Sequence, residues 1–160
     1  MSSVNISLKK AVVSDAEAIF DMQIEAFLPL LAKYRDFATN PANETIERVI
    51  RRITNPNGGF YKIMADRKLA GAICVYWKED GLRFWISPMF LHPQYQGQGI
   101  AQRSIACIFD MFPQAASWEL ATIAEEERNC YLYEKMGFRR TGVQKALNER
   151  ATLVYYVRGG

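Results

Sequence analysis

Leu91-His92-Pro93-Gln94-Tyr95-Gln96-Gly97-Gln98-Gly99-Ile100-Ala101-Gln102 is the stretch on which the fold turns. Before it, Leu82 to Leu91 is a long apolar run that reads as a strand. After it, Gly99 to Phe112 carries Ile105, Ile108, Phe109 and Phe112 at helical spacing. The stretch therefore connects a strand to a helix. Gly97 and Gly99 let the backbone adopt positive φ and approach a ligand closely. Free N–H groups at the start of the helix point to the same place, and with the helix dipole they form an anion site, typically for phosphate. Glycines alone also occur in turns that merely join two elements. A dinucleotide fingerprint fits poorly, although Glu119 lies about 20 residues further on. Gln102 occupies the third glycine position, and the loop between Leu91 and Gly97 is too long for the tight turn that fold requires. No Gly-Lys-Ser/Thr follows, so the phosphate loop of nucleotide triphosphatases is excluded.

Working outward, Val4 to Val13 alternates as a first strand. Ser14-Asp15-Ala16-Glu17 reads as a capping box. Ile19, Met22, Ala26 and Leu30 follow at helical spacing, and Pro29 is expected to end or kink that helix. A second helix is expected from near Glu44, and Asn55 to Gly59 is a turn signal. Phe60 to Ala65 and Leu69 to Trp77 read as a hairpin, and Glu79-Asp80-Gly81 as a second hairpin turn. Pro88 sits inside the long strand and predicts a bulge or a break in pairing. Trp118 to Ile123 is a short strand and Glu125 to Met136 a helix with Gly137 as its left-handed cap. Phe138 to Val143 and Ala151 to Val157 close the chain as strands. The order β-α-α-β-β-β-α-β-α-β-β indicates an α/β (α+β) fold with a sheet of mixed direction.

With 160 residues, 49% of them hydrophobic and 23% charged, the chain has the length and composition of one globular domain, residues 1–160. Its formal net charge of +3 is too small for a dedicated nucleic-acid binder and suits an anionic small ligand, so no nucleic-acid partner is expected. Cys74, Cys107 and Cys130 are odd in number and widely spaced, which suits buried thiols in a reducing compartment. His92 is the single histidine and no Cys-x-x-Cys pair exists, so no metal is expected. The N-terminus lacks the apolar run of a signal peptide, and the uncharged stretch Phe84–Gln102 is broken by prolines and glycines. The expectation is a cytoplasmic protein with no membrane partner.

Gln96-Gly97-Gln98-Gly99-Ile100-Ala101 resembles the Gln/Arg-x-x-Gly-x-Gly/Ala signature of the GNAT superfamily, the acetyl-CoA-dependent N-acetyltransferases. Leu132-Tyr133-Glu134-Lys135-Met136-Gly137-Phe138 is similar to that family's Leu-Tyr-x-x-x-Gly-Phe element, and the two motifs stand at the family's spacing. The resemblance spans essentially the whole chain. It implies a mostly antiparallel sheet of about seven strands with a splay at the fourth, flanked by about four helices. It also implies acetyl-CoA as co-substrate. The pantetheine arm would lie in the splay against backbone groups of Met89, Phe90 and Leu91. The pyrophosphate would be held by Gln96, Gly97, Gln98, Gly99, Ile100, Ala101 and Gln102. The acceptor would be the primary amine of a small molecule or peptide, attacked directly in a ternary complex. A homodimer is compatible with this reading.

The chemistry needs few parts. Negative charge develops on the thioester oxygen, and a backbone N–H near the bulge, with Leu91 the choice here, would stabilise it. The leaving thiolate has a conjugate acid of pKa near ~8.5, by analogy with cysteine. Tyr133 matches the family's general-acid tyrosine, protonated at neutral pH. The base is open between Glu119 and water. The position matching the family's strand glutamate is Ala121, and Glu119 lies two residues earlier on the same strand face. Where many members carry an asparagine, seven residues before the tyrosine, this chain has Glu126. Asn129, one turn before Tyr133, is taken as the cofactor contact instead. A carboxylate near a polyanion is unfavourable unless it points away. Tyr34, Arg35, Asp36 and Asn40 lie where an acceptor site would be built. The rival reading is a non-catalytic acyl-CoA-binding or sensor module.

Overall fold

Among the described residues the chain forms seven strands and four α-helices. The computed structural model describes residues 4–159; Met1–Ser3 and Gly160, included in the single-domain reading, lie outside them. In chain order the elements are β1 (Ile6–Lys10), α1 (Ala16–Tyr34), α2 (Ile46–Thr54), β2 (Gly58–Ala65), β3 (Lys68–Trp77), β4 (Arg83–Leu91), α3 (Ile100–Met111), β5 (Ser117–Ile123), α4 (Glu127–Lys135), β6 (Arg139–Ala146) and β7 (Thr152–Gly159). One sheet runs β1-β2-β3-β4-β5-β7-β6. Every neighbouring pair is antiparallel except β4 and β5. The order of elements is the one the sequence implies. Among the described residues, no helix is long and apolar enough to cross a membrane.

The two sheet faces bury separate cores. Ile19, Val49, Ile53, Phe60, Cys74 and Phe90 pack between the sheet and α1–α2. Ile73, Val75, Phe84, Ile108, Trp118 and Leu120 belong to the larger core beneath α3 and α4. Within the latter, Phe84 lies 5.0 Å from Trp118 and 5.2 Å from Phe112, ring centre to ring centre. Each such ring contributes several kcal/mol by leaving water, and tilted contacts add roughly 0.5–1.5 kcal/mol. This aromatic cluster pins the place where β4 and β5 meet.

Four local expectations are corrected. The capping box is not formed at Ser14. Asp15 instead accepts from Val12 N–H at 2.8 Å and pairs with Lys62 at 3.0 Å, so a 3₁₀ turn over Val13–Asp15 precedes α1. Of the two outcomes expected of Pro29, an end or a kink, the end does not occur: α1 continues to Tyr34 and stops at Arg35 in the left-handed region, φ 56°. Burial of Tyr34 and its bond to Glu126, just ahead of α4, hold that last turn helical beyond the proline. Glu44 lies before α2 rather than in it. It pairs with Arg52 at 2.7 and 2.8 Å and accepts from Gln23 at 2.8 Å, fixing the α1–α2 connection. Gly58 and Gly59 belong to β2, because a Cβ at Gly58 would sit 2.5 Å from the Val75 carbonyl oxygen.

Candidate active site

β4 pairs with β5 through only three residues, Arg83 to Trp85 against Ser117 to Glu119. Beyond them the strands part. On its other side β4 stays on β3, with Ser87 and Pro88 together opposing the single residue Cys74, a bulge where Pro88 predicted one. His92 N–H bonds to Ala70 O on β3 at 2.7 Å, so by strand alternation Phe90 also faces β3. Met89 and Leu91 turn their backbone groups the other way, into the gap. This corrects the expectation that all three offer backbone to a ligand there. Phe90 is buried in the α1–α2 core, with its ring edge-on to Phe27 and Phe60.

The loop after β4 is a 3₁₀ turn, Pro93–Tyr95, followed by Gly97 and Gly99, both at φ 76°. Gly99 caps α3 directly. A side chain at either position would be strained and would project toward the cavity mouth. The Gln96 side chain donates to Leu91 O at 3.1 Å, tying the loop to the strand. Gln98 turns back to Gln94 O at 2.9 Å. Opposite, the Arg128 guanidinium lies 3.6 Å from the position a Gly97 Cβ would take. His92 bonds Glu25 on α1 at 2.7 Å and accepts from Gln94 N–H, a tie across the loop's back.

Two cavities open on this framework. The larger, about 430 Å³, runs from Gly97, Gly99 and Arg128 to Met89 and Tyr133, and is also lined by Gln96, Ile100, Ala101 and Gln102. The smaller, about 260 Å³, lies between Ser87–Met89, β5 and the α1–α2 connection at Asp36–Pro41. Phe27, Leu30, Met89, Glu126, Asn129 and Tyr133 line both. Three of these, Glu126, Asn129 and Tyr133, are spaced to share one face of α4. The Tyr133 ring is held edge-on to Phe138 at 6.0 Å. Burial pushes its pKa up to about 12, so it remains a proton donor throughout the neutral range.

Glu126 is half-buried at the wall common to both cavities. Its Oε2 accepts from the Tyr34 hydroxyl at 2.5 Å and from Lys33 at 2.9 Å, both at the end of α1. Burial opposes its ionisation, but these bonds outweigh it and hold the carboxyl below its ordinary value. Asn148, between β6 and β7, donates to Tyr34 O at 2.8 Å. Three distant segments thus close over the junction. Among the sequence candidates, Tyr133, Asn129, Met89 and the Gly97–Gly99 loop come together. Glu119 does not join them: it lies at the closed end of the gap, paired with Trp85 and Val157, and lines neither cavity. Arg128 and Phe27 were missed. Arg128 has a sequence signal, a cation one helical turn from the loop-facing residues of α4, but nothing local names its partner.

A splayed parallel pair, a bulged fourth strand, a glycine loop capping a helix and a half-buried tyrosine in the second motif have a common explanation. The Acetyltransferase (GNAT) family model matches residues 17–138. No curated protein sequence matches the chain. Among solved structures, the ribosomal-protein-S18-alanine N-acetyltransferase of Escherichia coli superposes with a TM-score of 0.77 at 14% identity, covering 97% of this chain and 94% of that one. Spermidine N-acetyltransferase from Vibrio cholerae, in complex with CoA and spermine, gives 0.75 at 16% identity, covering 95% and 94%. The PaiA N-acetyltransferase of Thermoplasma acidophilum, in complex with coenzyme A, gives 0.72 at 14%, covering 98% and 99%. At these identities the likeness is one of fold. With a family model over most of its length and both motifs on the cavity walls, this chain belongs to the GNAT family of acetyltransferases.

Proposed function

We propose that this protein transfers an acetyl group from acetyl-CoA to a primary amine, by direct attack in a ternary complex. The observation that carries the reading is the meeting of two cavities at Met89 and Tyr133. One arm ends at the glycine loop, the start of α3 and Arg128, the anion-binding end that a phosphorylated thioester carrier needs. The other has room for a small acceptor.

The residues present fit acetyl-CoA. Gly97 and Gly99 leave open space where side chains would intrude, the start of α3 supplies free N–H groups, and Arg128 adds a cation. Leu91 and Met89 offer backbone groups to an extended arm, as an adjacent strand would. When bound, acetyl-CoA supplies an activated acyl group on sulfur. Met89 faces both cavities and Leu91 only the larger, so Met89 N–H is the donor to the developing oxyanion, in place of Leu91. Tyr133 offers a hydrogen bond to the departing sulfur. The amine is deprotonated by water, the alternative that remains with Glu119 lining neither cavity.

Thiol release measured over a panel of amines tests this. Turnover requiring both acetyl-CoA and an amine is expected, with Glu119→Gln leaving the rate unchanged. Tight acetyl-CoA binding with no turnover on any amine would return the chain to the binding-module reading.

A further inference from the structure

The smaller cavity carries charge of one sign only. Asp36 and Glu126 line it, and no lysine, arginine or histidine does. Its other walls are apolar or neutral, with Phe27, Leu30, Leu120 and Leu153 among them. The two carboxylates differ in what they still offer. Asp36 is engaged within its own turn, where its oxygens take the Thr39 backbone N–H and hydroxyl. Glu126 receives both its donors on Oε2, and among the described residues no group hydrogen-bonds Oε1. One of those donors is already an alkylammonium. Lys33 reaches Glu126 from the rim with 61% of its side chain exposed.

We propose that Glu126 binds the ammonium of the acceptor, so that the enzyme selects amines with no carboxylate beside the reacting nitrogen. The inference rests on the reading that the smaller cavity holds the acceptor. An exposed lysine–carboxylate pair contributes little, so an incoming ammonium displaces Lys33 at small cost. The Tyr34 hydroxyl stays and keeps the carboxylate aimed at the junction. The bound ammonium first gives one proton to water and the neutral amine attacks. As the C–N bond forms and the C–S bond breaks, positive charge builds on nitrogen, and the sulfur leaves as a thiolate that accepts a hydrogen bond from Tyr133 and takes its proton from water. The surplus proton on nitrogen passes to water. A fixed, ionised carboxylate beside that nitrogen stabilises the charge without having to take the proton. A free amino acid would instead bring its own carboxylate into a cavity with two carboxylates and no cation, and like charges would oppose its entry. Ala121 leaves β5 without an acidic group in this cavity, so the acidic group comes from α4.

Two probes of one shape test the proposal, phenethylamine and phenylalanine. Their dissociation constants would be measured by calorimetry on the full chain saturated with CoA, and kcat and KM measured with acetyl-CoA. Phenethylamine is expected to bind at least about tenfold more tightly than phenylalanine. Glu126→Gln should remove most of that difference by weakening phenethylamine, with the KM for acetyl-CoA unchanged. Lys33→Met should tighten phenethylamine a few-fold by removing its competitor. A clasp that merely holds α1 to α4 would weaken binding in both variants, since both lose the same bond, so the opposite sign of Lys33→Met is the discriminating result. Lys33→Met also serves if Glu126→Gln does not fold. Equal binding of the two probes, no binding of phenethylamine, a preference that survives Glu126→Gln, or weaker binding in Lys33→Met would each overturn the proposal. Failure of the underlying reading looks different: acetyl-CoA would not bind, or phenethylamine would compete with it for one cavity, and both ideas would fall.

Discussion

Replacing Tyr133 by phenylalanine deletes one oxygen and leaves the ring against Phe138 and Tyr156, at 6.0 and 6.3 Å. Among the described residues no group hydrogen-bonds that hydroxyl, so the fold loses nothing and Tm should hold. The effect on rate follows from the acidity of the phenol. Burial raises it to about 12. The departing thiol has a pKa near ~8.5, so passing the phenol's proton even to the freed thiolate runs uphill by roughly 4–5 kcal/mol. Tyr133 is therefore expected to act as a hydrogen-bond donor to the emerging thiolate and to keep its proton, the thiolate being protonated from water. A hydrogen bond to a charged group contributes about 1.5–3 kcal/mol, which sets the loss at about ten- to a hundredfold in kcat. The KM for acetyl-CoA should change little. Since the phenol stays protonated until the pH approaches 12, it contributes no basic limb to the rate below roughly pH 11. Pre-steady-state thiol release from pH 6 to 10.5 is the assay. A variant within twofold of the wild-type rate would refute the role. So would a wild-type decline centred near pH 10 that disappears in Tyr133→Phe, because it would mean an unshifted phenol.

Gly99→Val forces a branched residue into φ 76° at the mouth of the larger cavity, and calorimetry should show acetyl-CoA binding weakened at least about tenfold in a folded protein. Arg128→Gln removes the guanidinium facing Gly97. It should raise the KM for acetyl-CoA, flatten its salt dependence, and leave the KM for acetyl-pantetheine, which lacks the phosphates, unchanged. Gly71→Ala would place a Cβ 2.1 Å from the Phe90 carbonyl oxygen and 2.9 Å from the Leu91 Cα, both backbone atoms. A stability loss of about 2 kcal/mol or more is expected by denaturant titration, with β4 displaced where it enters the site.

Those parts of the site that sit on one continuous motif were readable before any coordinates. The Gly97–Gly99 loop joins a strand to a helix, and the anion site expected there needs only local backbone geometry. Tyr133 belongs to a helix whose end is written into Gly137 and Phe138. Pro88 announces its bulge because a proline cannot donate to a ladder. What the sequence conceals are pairings between residues far apart in the chain. Glu126 stands out as an unusual residue, but Lys33 and Tyr34, its partners, lie more than 90 positions away. The direction in which Phe90 turns its backbone depends on the register of β4 against β3, set by the bulge and not by residue type. Pro29 misleads for a related reason. Its local cost is real, and the distant contacts of Tyr34 outweigh it.

The three-residue seam between β4 and β5 makes the molecule two blades joined at a pivot. One blade is β1–β4, the other β5, β7 and β6, and aromatic rings fill the pivot at Phe84, Phe112 and Trp118. At the open end the blades are bridged by side chains, the Glu126 clasp foremost, and not by a ladder. A ligand arm laid in the gap would supply the missing rung, so binding should be felt as stiffening. Amide hydrogen exchange at Met89 and Leu91 should slow on adding acetyl-CoA, while the pivot residues, already locked, stay as they were.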